Sequence, residues 1–434
     1  GGLSTRGRGR IRHLSERRAT MAGIDALAMA CHNPACNFQP MPFKRRPLGE
    51  YDVHIEMKYC GVCHSDLHLS LNDLGGCIYP IVPGHELAGV CVAVGAKVTK
   101  FRTGDHVGVG CFVDSCLSCK NCDKGEEQYC VKGATFTYGA APTHGRANNG
   151  PGFESAPTYG GYSSQMVIHE RFAIMIPKDY PLEKAGPLMC AAITMYDPLK
   201  HFGAKAGTRV AILGLGGLGT MGVKLAKALG CHVTVLSRND SKRKYALSIG
   251  ADAYVAVGDP EQVRAAGKSL DLILDTISAN HDITTYLPLL DVSGIIVALG
   301  LCTQPHSVPQ LPLIFNRTGI HGSVIGGIKT TQEVVDLCAS KKIYPETKVV
   351  PVSELNRVFE SLAAGNDTGV RYVLDIGNTL NESAFAACAN VPPTKLPAPS
   401  AISKAKAALM TNAPSLGLVL VGVATGLLLA RRGK

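Results

Sequence analysis

Residues 209–219 read RVAILGLGGLG, and this stretch decides the architecture. A short apolar run from Val210 to Leu213 ends in Gly214-x-Gly216-x-x-Gly219 and opens into a helical pattern over 220–229. Gly214 permits a tight turn, Gly216 lets the backbone approach a pyrophosphate, and Gly219 lets the helix lie close on the strand. The first helical turn, with Gly217 and Leu218, presents free N–H groups and a partial positive charge to phosphate. A bare glycine triplet would be weak. The strand before it, the helix after it and a further strand pattern at 232–236 argue for a dinucleotide site on a Rossmann-type sheet.

Strand and helix patterns alternate from 210 to 325, with buried strands expected at 271–277 and 294–299. Such alternation predicts a doubly wound parallel sheet and an α/β fold class. Upstream, residues 51–113 consist of short β-type runs with glycine turns, and 137–161 are loop-like. Residues 182–202 read as a helical link between two domains.

Two groups of metal-ligating side chains stand outside the glycine motif. Cys116-x2-Cys119-x2-Cys122-x7-Cys130 places four thiols in one short loop, enough to close a tetrahedral shell around a structural zinc ion. Four reduced thiols or two disulfides are the other readings of that spacing. The second group is dispersed: Cys63 in CGVCHSD, His85 and Glu86 in PGHE, and Cys190 in LMCAAIT. Cys63, His85 and Cys190 would supply three ligands and leave a fourth position open for chemistry, with Glu86 able to approach it. Cys60 has C-x2-C spacing to Cys63.

With these residues in view, the chain resembles the zinc-dependent medium-chain dehydrogenase/reductases, and most of all their cinnamyl alcohol dehydrogenase-like branch. CGVCHSDLH (60–68), YPIVPGHELAG (79–89), GDHVGVG (104–110), the four-cysteine loop, GGYSSQMV (160–167), GLGGLGTMGVKLAKALG (214–230) and GSVIGGIKTTQE (322–333) carry the resemblance. It implies a GroES-like β catalytic domain split around a Rossmann domain, a homodimer, and an active site in the cleft between domains. The divisions expected are 21–189 and 325–378 for the catalytic domain and 190–324 for the cofactor domain. The resemblance also implies that Thr194 lies against the nicotinamide, that Asp73 is a third proton-relay position, and that Cys60 is a packed thiol and not a ligand. Ser65 and His68 would pass a proton between a buried oxygen and water, a hydroxyl handing it to an imidazole.

The cofactor's ribose end is read from the residues after the second Rossmann strand. NAD enzymes place an acid there. Here the strand runs out into Ser237 and Arg238, with Lys242 following, so a small residue and two cations would meet a 2′-phosphate. Asp240 argues the other way, since a shifted register would bring it to the ribose. NADP is the cofactor expected, with two zinc ions per chain.

The chain has 434 residues and a formal charge of +10. Residues 1–20 hold six Arg against one Glu, and residues 379–434 hold six Lys or Arg against one Glu, so 21–378 is neutral. No basic stripe marks the folded part, and nucleic acid is not expected as a partner. Sixteen cysteines in a chain of this length point to a reducing compartment, because oxidation would strip thiolate ligands. Residues 1–20 read either as a targeting peptide or as sequence upstream of a natural start at Met21. Residues 379–412 have a linker composition. Residues 413–430 contain no charge and are flanked by Lys404, Lys406, Arg431, Arg432 and Lys434, which predicts a transmembrane tail anchor holding the catalytic domains toward the cytosol.

The function expected is a zinc-dependent alcohol dehydrogenase working mostly as an aldehyde reductase. The chain contains no Trp, a residue that commonly lines the pocket of lignin-pathway relatives, so a broad aldehyde range is expected over a strict cinnamyl substrate. Two rivals stand beside it: a polyol or other secondary-alcohol dehydrogenase, and a catalytically silent NADPH-binding protein held at a membrane.

Overall fold

In the computed structural model, residues 23–73, 75–146, 157–302, 305–365, 369–381 and 383 are described. The basic leader, nearly all of the linker at 379–412 and the apolar run at 413–430 lie outside them. The described residues divide into two compact units, one drawn from those within 23–178, 349–363 and 372–383, the other from those within 179–348 and 364–371.

The first unit is built from antiparallel sheet. Strands β1 (Ile24–Cys31) and β2 (Phe38–Arg45) form a hairpin, and β6 (Phe112–Asp114) pairs with β7 (Thr135–Phe136). The main sheet is centred on β3 (Asp52–Gly61), which pairs with β4 (Glu86–Val94) and with β8 (Gln165–His169). It continues through β5 (His106–Val109) to β9 (Ala173–Ile176). Along β3 buried Val53, Ile55 and Met57 alternate with half-buried His54, Glu56 and Lys58, the pattern of a strand with one face on a core. Helix α1 (His64–Ser70) leaves the end of β3.

The second unit is a six-stranded parallel sheet. Its strands are β10 (Arg209–Leu213), β11 (His232–Ser237), β12 (Ala253–Ala256), β13 (Leu270–Asp275), β14 (Leu290–Ala298) and β15 (Gly319–Gly322), in spatial order β12-β11-β10-β13-β14-β15. Unlike β3, strands β10 and β13 are near-continuous apolar runs, buried on both faces as a parallel sheet under helices requires. Ala211, Leu213, Leu236, Ile273 and Ile296 join in one buried cluster. Strand order reverses between β10 and β13, and the glycine loop leaves β10 at that switch. The helices used below are α2 (Ala191–His201), α3 (Gly217–Ala228), α4 (Gln310–Asn316) and α5 (Ile328–Ser340). The chain then returns to the first unit's sheet with β16 (Thr347–Pro351) and β17 (Arg371–Asp375), the latter pairing with β3.

Two expectations change here. Residues 179–189, 325–348 and 364–371, assigned by sequence to the catalytic domain, fall in the second unit, where α5 packs on α2 and buries Val334, Val335 and Cys338. The membrane-held placement is also corrected. Among the described residues no helix is long and apolar enough to cross a membrane. The longest, α5, has 13 residues and carries Lys329, Glu333 and Asp336. At 1.5 Å per residue it reaches about 20 Å, short of the ~30 Å hydrocarbon core. The transmembrane helix expected at 413–430 is a hydropathy signal on residues outside those described.

Candidate active site

The first unit brings Cys63, His85 and Glu86 together. Cys63 sits at the N-cap of α1, and His85 and Glu86 lie where the 79–85 loop enters β4. One ligand atom from each of the three lies within 4.8 Å of the others, and all three residues are buried. Gly61 makes room for them, since a Cβ there would come 2.0 Å from Glu86 Oε2.

A residue that the motif reading passed over organises this cluster. Asp66 is fully buried. Its Oδ2 accepts from the Cys63 N–H at 2.9 Å and from Tyr162 Oη at 2.9 Å. Its Oδ1 accepts from the Gly84 N–H at 3.2 Å and faces His85 Nδ1 at 3.0 Å. Burial opposes charge on the His85 imidazole, but the Asp66 carboxylate, together with the Cys111 and Cys63 thiols, lifts the group well above the ordinary histidine range. The same field favours any cation at this place. With Nδ1 on Asp66, Nε2 is the nitrogen left for a metal. Tyr138 stacks on the imidazole at 5.8 Å between centroids and 21° between planes. The Cys63-x-x-Asp66 spacing is that of a helix capping box, and this signal would have found Asp66. Tyr162 and Tyr138 have no such signal, since they arrive from distant segments. Cys60 is fully buried on β3, its thiol pushed up by burial, and it stands outside the ligand group.

Ser65 Oγ lies 3.8 Å from Cys63 Sγ, and His68 Nδ1 meets Asp73 Oδ2 at 3.1 Å. Ser65 and His68 are three apart on α1 and so share a face. In the second unit Cys190 is buried at the N-cap of α2, and the Thr194 N–H donates to its carbonyl at 2.9 Å.

The four-cysteine loop is also gathered as expected. Ligand atoms of Cys116, Cys119, Cys122 and Cys130 lie within 4.8 Å of one another, with sulfur separations of 3.5 Å for Cys119–Cys122 and 3.9 Å for Cys116–Cys122. A tetrahedron with metal–sulfur bonds of ~2.3 Å has edges of about 3.8 Å. A short helical turn at Lys120–Asp123 sets Cys119 and Cys122 side by side. Backbone N–H groups of Cys122 and Val131 draw the Cys119 thiol down to about 6. The sulfur spacing and the lowered Cys119 thiol suit thiolate ligation of zinc, while burial pushes the Cys122 and Cys130 thiols up.

At the glycine loop, Gly214 has φ +89° and Gly219 is confined, a Cβ there coming 2.1 Å from the Gly214 carbonyl. A Cβ on Gly216 would meet no protein atom within 4 Å, so protein packing does not require glycine there. Ser237 is half-buried at the end of β11 and Arg238 is exposed. Lys242 Nζ donates to the Leu215 carbonyl at 3.3 Å, which lays its charge along the loop. Asp240, the residue that favoured NAD, accepts from Arg243 Nε at 2.8 Å and is held by that pair.

Asp66→Asn places an amide N–H₂ against one pair of those four donors. Zinc affinity at the Cys63–His85 cluster is expected to fall about 10–100-fold, read by competition with a chromophoric chelator. Unchanged affinity would remove Asp66 from the site.

Comparison with known proteins agrees with this geometry. Residues 49–178 match the alcohol dehydrogenase GroES-like domain and residues 217–340 the zinc-binding dehydrogenase domain. The NADP-dependent alcohol dehydrogenase C of Mycobacterium tuberculosis is 48% identical over 332 residues, 76% of this chain and 93% of the relative. Cinnamyl alcohol dehydrogenase 2 of Rauvolfia serpentina is 44% identical over 362 residues, 83% of this chain and 97% of the relative. Among solved structures, a cinnamyl alcohol dehydrogenase from Sorghum bicolor superposes with a TM-score of 0.78 at 37% identity, covering 82% of this chain and 99% of its own. The Helicobacter pylori enzyme complexed with NADP(H) gives 0.75 at 38%, covering 82% and 100%. The chain belongs to the zinc-dependent medium-chain dehydrogenase/reductase family, among relatives of the cinnamyl alcohol dehydrogenases.

Proposed function

We propose that the chain is an NADP-dependent zinc alcohol dehydrogenase that interconverts primary alcohols and aldehydes over a broad range. The observation that carries this reading is the buried thiol, imidazole and carboxylate of Cys63, His85 and Glu86 organised by Asp66. Cys190 is the remaining ligand in this reading, and Glu86 stands by the open position. The closed Cys116–Cys119–Cys122–Cys130 set holds the second zinc.

When bound, the catalytic zinc supplies a Lewis acid to the alcohol or carbonyl oxygen, and NADP(H) supplies the hydride chemistry. The chain's own residues orient and move protons. Asp66 fixes the His85 tautomer. Ser65, beside Cys63, takes the proton from the substrate oxygen, and His68 carries it toward water while Asp73 orients the imidazole. Thr194 would rest against the nicotinamide. Gly214, Gly216, Gly217, Leu218 and Gly219 cradle the pyrophosphate, and Ser237, Arg238 and Lys242 receive the 2′-phosphate. NADPH oxidation at 340 nm with a panel of aliphatic and aromatic aldehydes tests the activity. Cys63→Ser is expected to abolish most of it and remove one zinc per chain with the fold intact. Cys119→Ser is expected to lower thermal stability instead, because a closed metal site contributes folding energy. Full activity in Cys63→Ser would defeat the reading.

Cofactor choice has its own test. A charge-assisted contact to phosphate is worth ~1.5–3 kcal/mol. Arg238→Ala should therefore raise the NADPH KM about tenfold or more and leave NADH kinetics little changed. Equal losses with both cofactors would exclude a 2′-phosphate contact there.

The homodimer implied by the family resemblance has a candidate surface. β15 is an edge strand, and α4 just before it exposes Leu311 (65%), Ile314 (68%) and Phe315 (80%). Pairing of two β15 edges would cover both features. Phe315→Glu is expected to shift the sedimenting species from dimer to monomer, and an unshifted dimer would place the interface elsewhere.

A further inference from the structure

The second unit carries an open cavity of about 680 Å³ at the C-terminal end of α3, the end opposite the glycine loop. Its volume lies within the ~300–1,000 Å³ typical of small-molecule sites. Lys184, Lys224, Lys227, Lys341 and Lys342 line it, together with one acid, Glu346. Residues 21–378 are neutral as a whole, so five lysines on one cavity are a local concentration and not a sample of a basic surface.

Part of this charge has a structural use. Lys224 Nζ donates to the Tyr344 carbonyl at 2.7 Å and to Glu346 Oε1 at 2.6 Å. Lys227 pairs with Asp252 at 2.8 Å, and Lys184 Nζ stands 5.1 Å above the Tyr344 ring. Helices α3 and α5 both end at the cavity, and each C-terminus is equivalent to roughly half a negative charge. Two carboxylates and two helix ends thus answer about three of the five positive charges. Roughly two remain, carried by side chains that include exposed Lys341 and Lys342 at the rim. Lys342 has φ +54°, in the turn that closes α5.

Two unmatched ammonium charges suit a phosphate dianion or a diphosphate, which lysines bind as point charges. Ile249, Ile343 and Pro345 add an apolar wall, and the volume exceeds what phosphate alone would fill. We propose that this cavity is a second anion site, separate from the NADP loop, that takes the phosphate or diphosphate of a nucleotide-sized organic phosphate.

The test is calorimetric titration of the zinc-loaded protein, saturated with NADPH so that the glycine loop is occupied. ADP is expected to show one saturable site and adenosine none. Inorganic pyrophosphate matching ADP would assign binding to the diphosphate alone, and weaker pyrophosphate binding would give the organic body a share. The rim double variant Lys341→Glu, Lys342→Glu should weaken ADP at least about tenfold and leave NADPH affinity and thermal stability unchanged. No saturable ADP heat, adenosine binding as tightly as ADP, or a double variant that binds ADP like the parent would each overturn the proposal.

Discussion

One buried carboxylate ties the Cys63, His85 and Glu86 cluster together. Asp66 has no exposed surface, and a carboxylate in that position is tolerable only when every oxygen is answered. Four donors do this, from Cys63, Gly84, His85 and Tyr162. They come from three separate segments of the chain: the start of α1, the turn before β4 and the approach to β8. Satisfying one charge therefore fixes where the β3–α1 corner, the Gly84 turn and the Tyr162 segment must meet. The metal-ligating side chains occupy the same corner, so the structural requirement and the chemical one coincide.

Around it the structure separates two kinds of rigidity. The antiparallel first unit places Cys63, His85 and the four-cysteine loop at strand ends, helix caps and tight turns, where backbone hydrogen bonds hold them. The parallel second unit buries both faces of its central strands and carries the glycine loop at the β10/β13 switch. Orientation of a metal ligand and acceptance of a large anionic cofactor are different tasks, and different sheet types perform them.

Charge is arranged as economically. The described fold is close to neutral, yet its cations gather at particular places. Arg238 and Lys242 follow β11 beside the glycine loop, and five lysines surround the cavity at the far end of α3. Each location is one where helix termini or exposed backbone groups already shape the field.

Much of this was legible in the sequence. Gly214, Gly216 and Gly219 announced the parallel sheet, because a strand–turn–helix around a phosphate tolerates few other residues. The two ligand groups were legible because zinc demands thiol and imidazole donors in small number. Local chemistry of that kind survives reading in one dimension. The bonds of Asp66 to Gly84, His85 and Tyr162 and the stacking of Tyr138 on His85 were not legible, since each depends on partners set by packing and not by spacing. The apolar run at 413–430 marks the same limit from the other side. Hydropathy there suggested a membrane span, and the described fold contains no helix able to cross one. The sequence by itself determined which chemistry the chain can perform, because metal and phosphate ligation select residue types. Only the tertiary structure decided how those residues are held, because a buried charge is stable only where distant segments bring their donors to it.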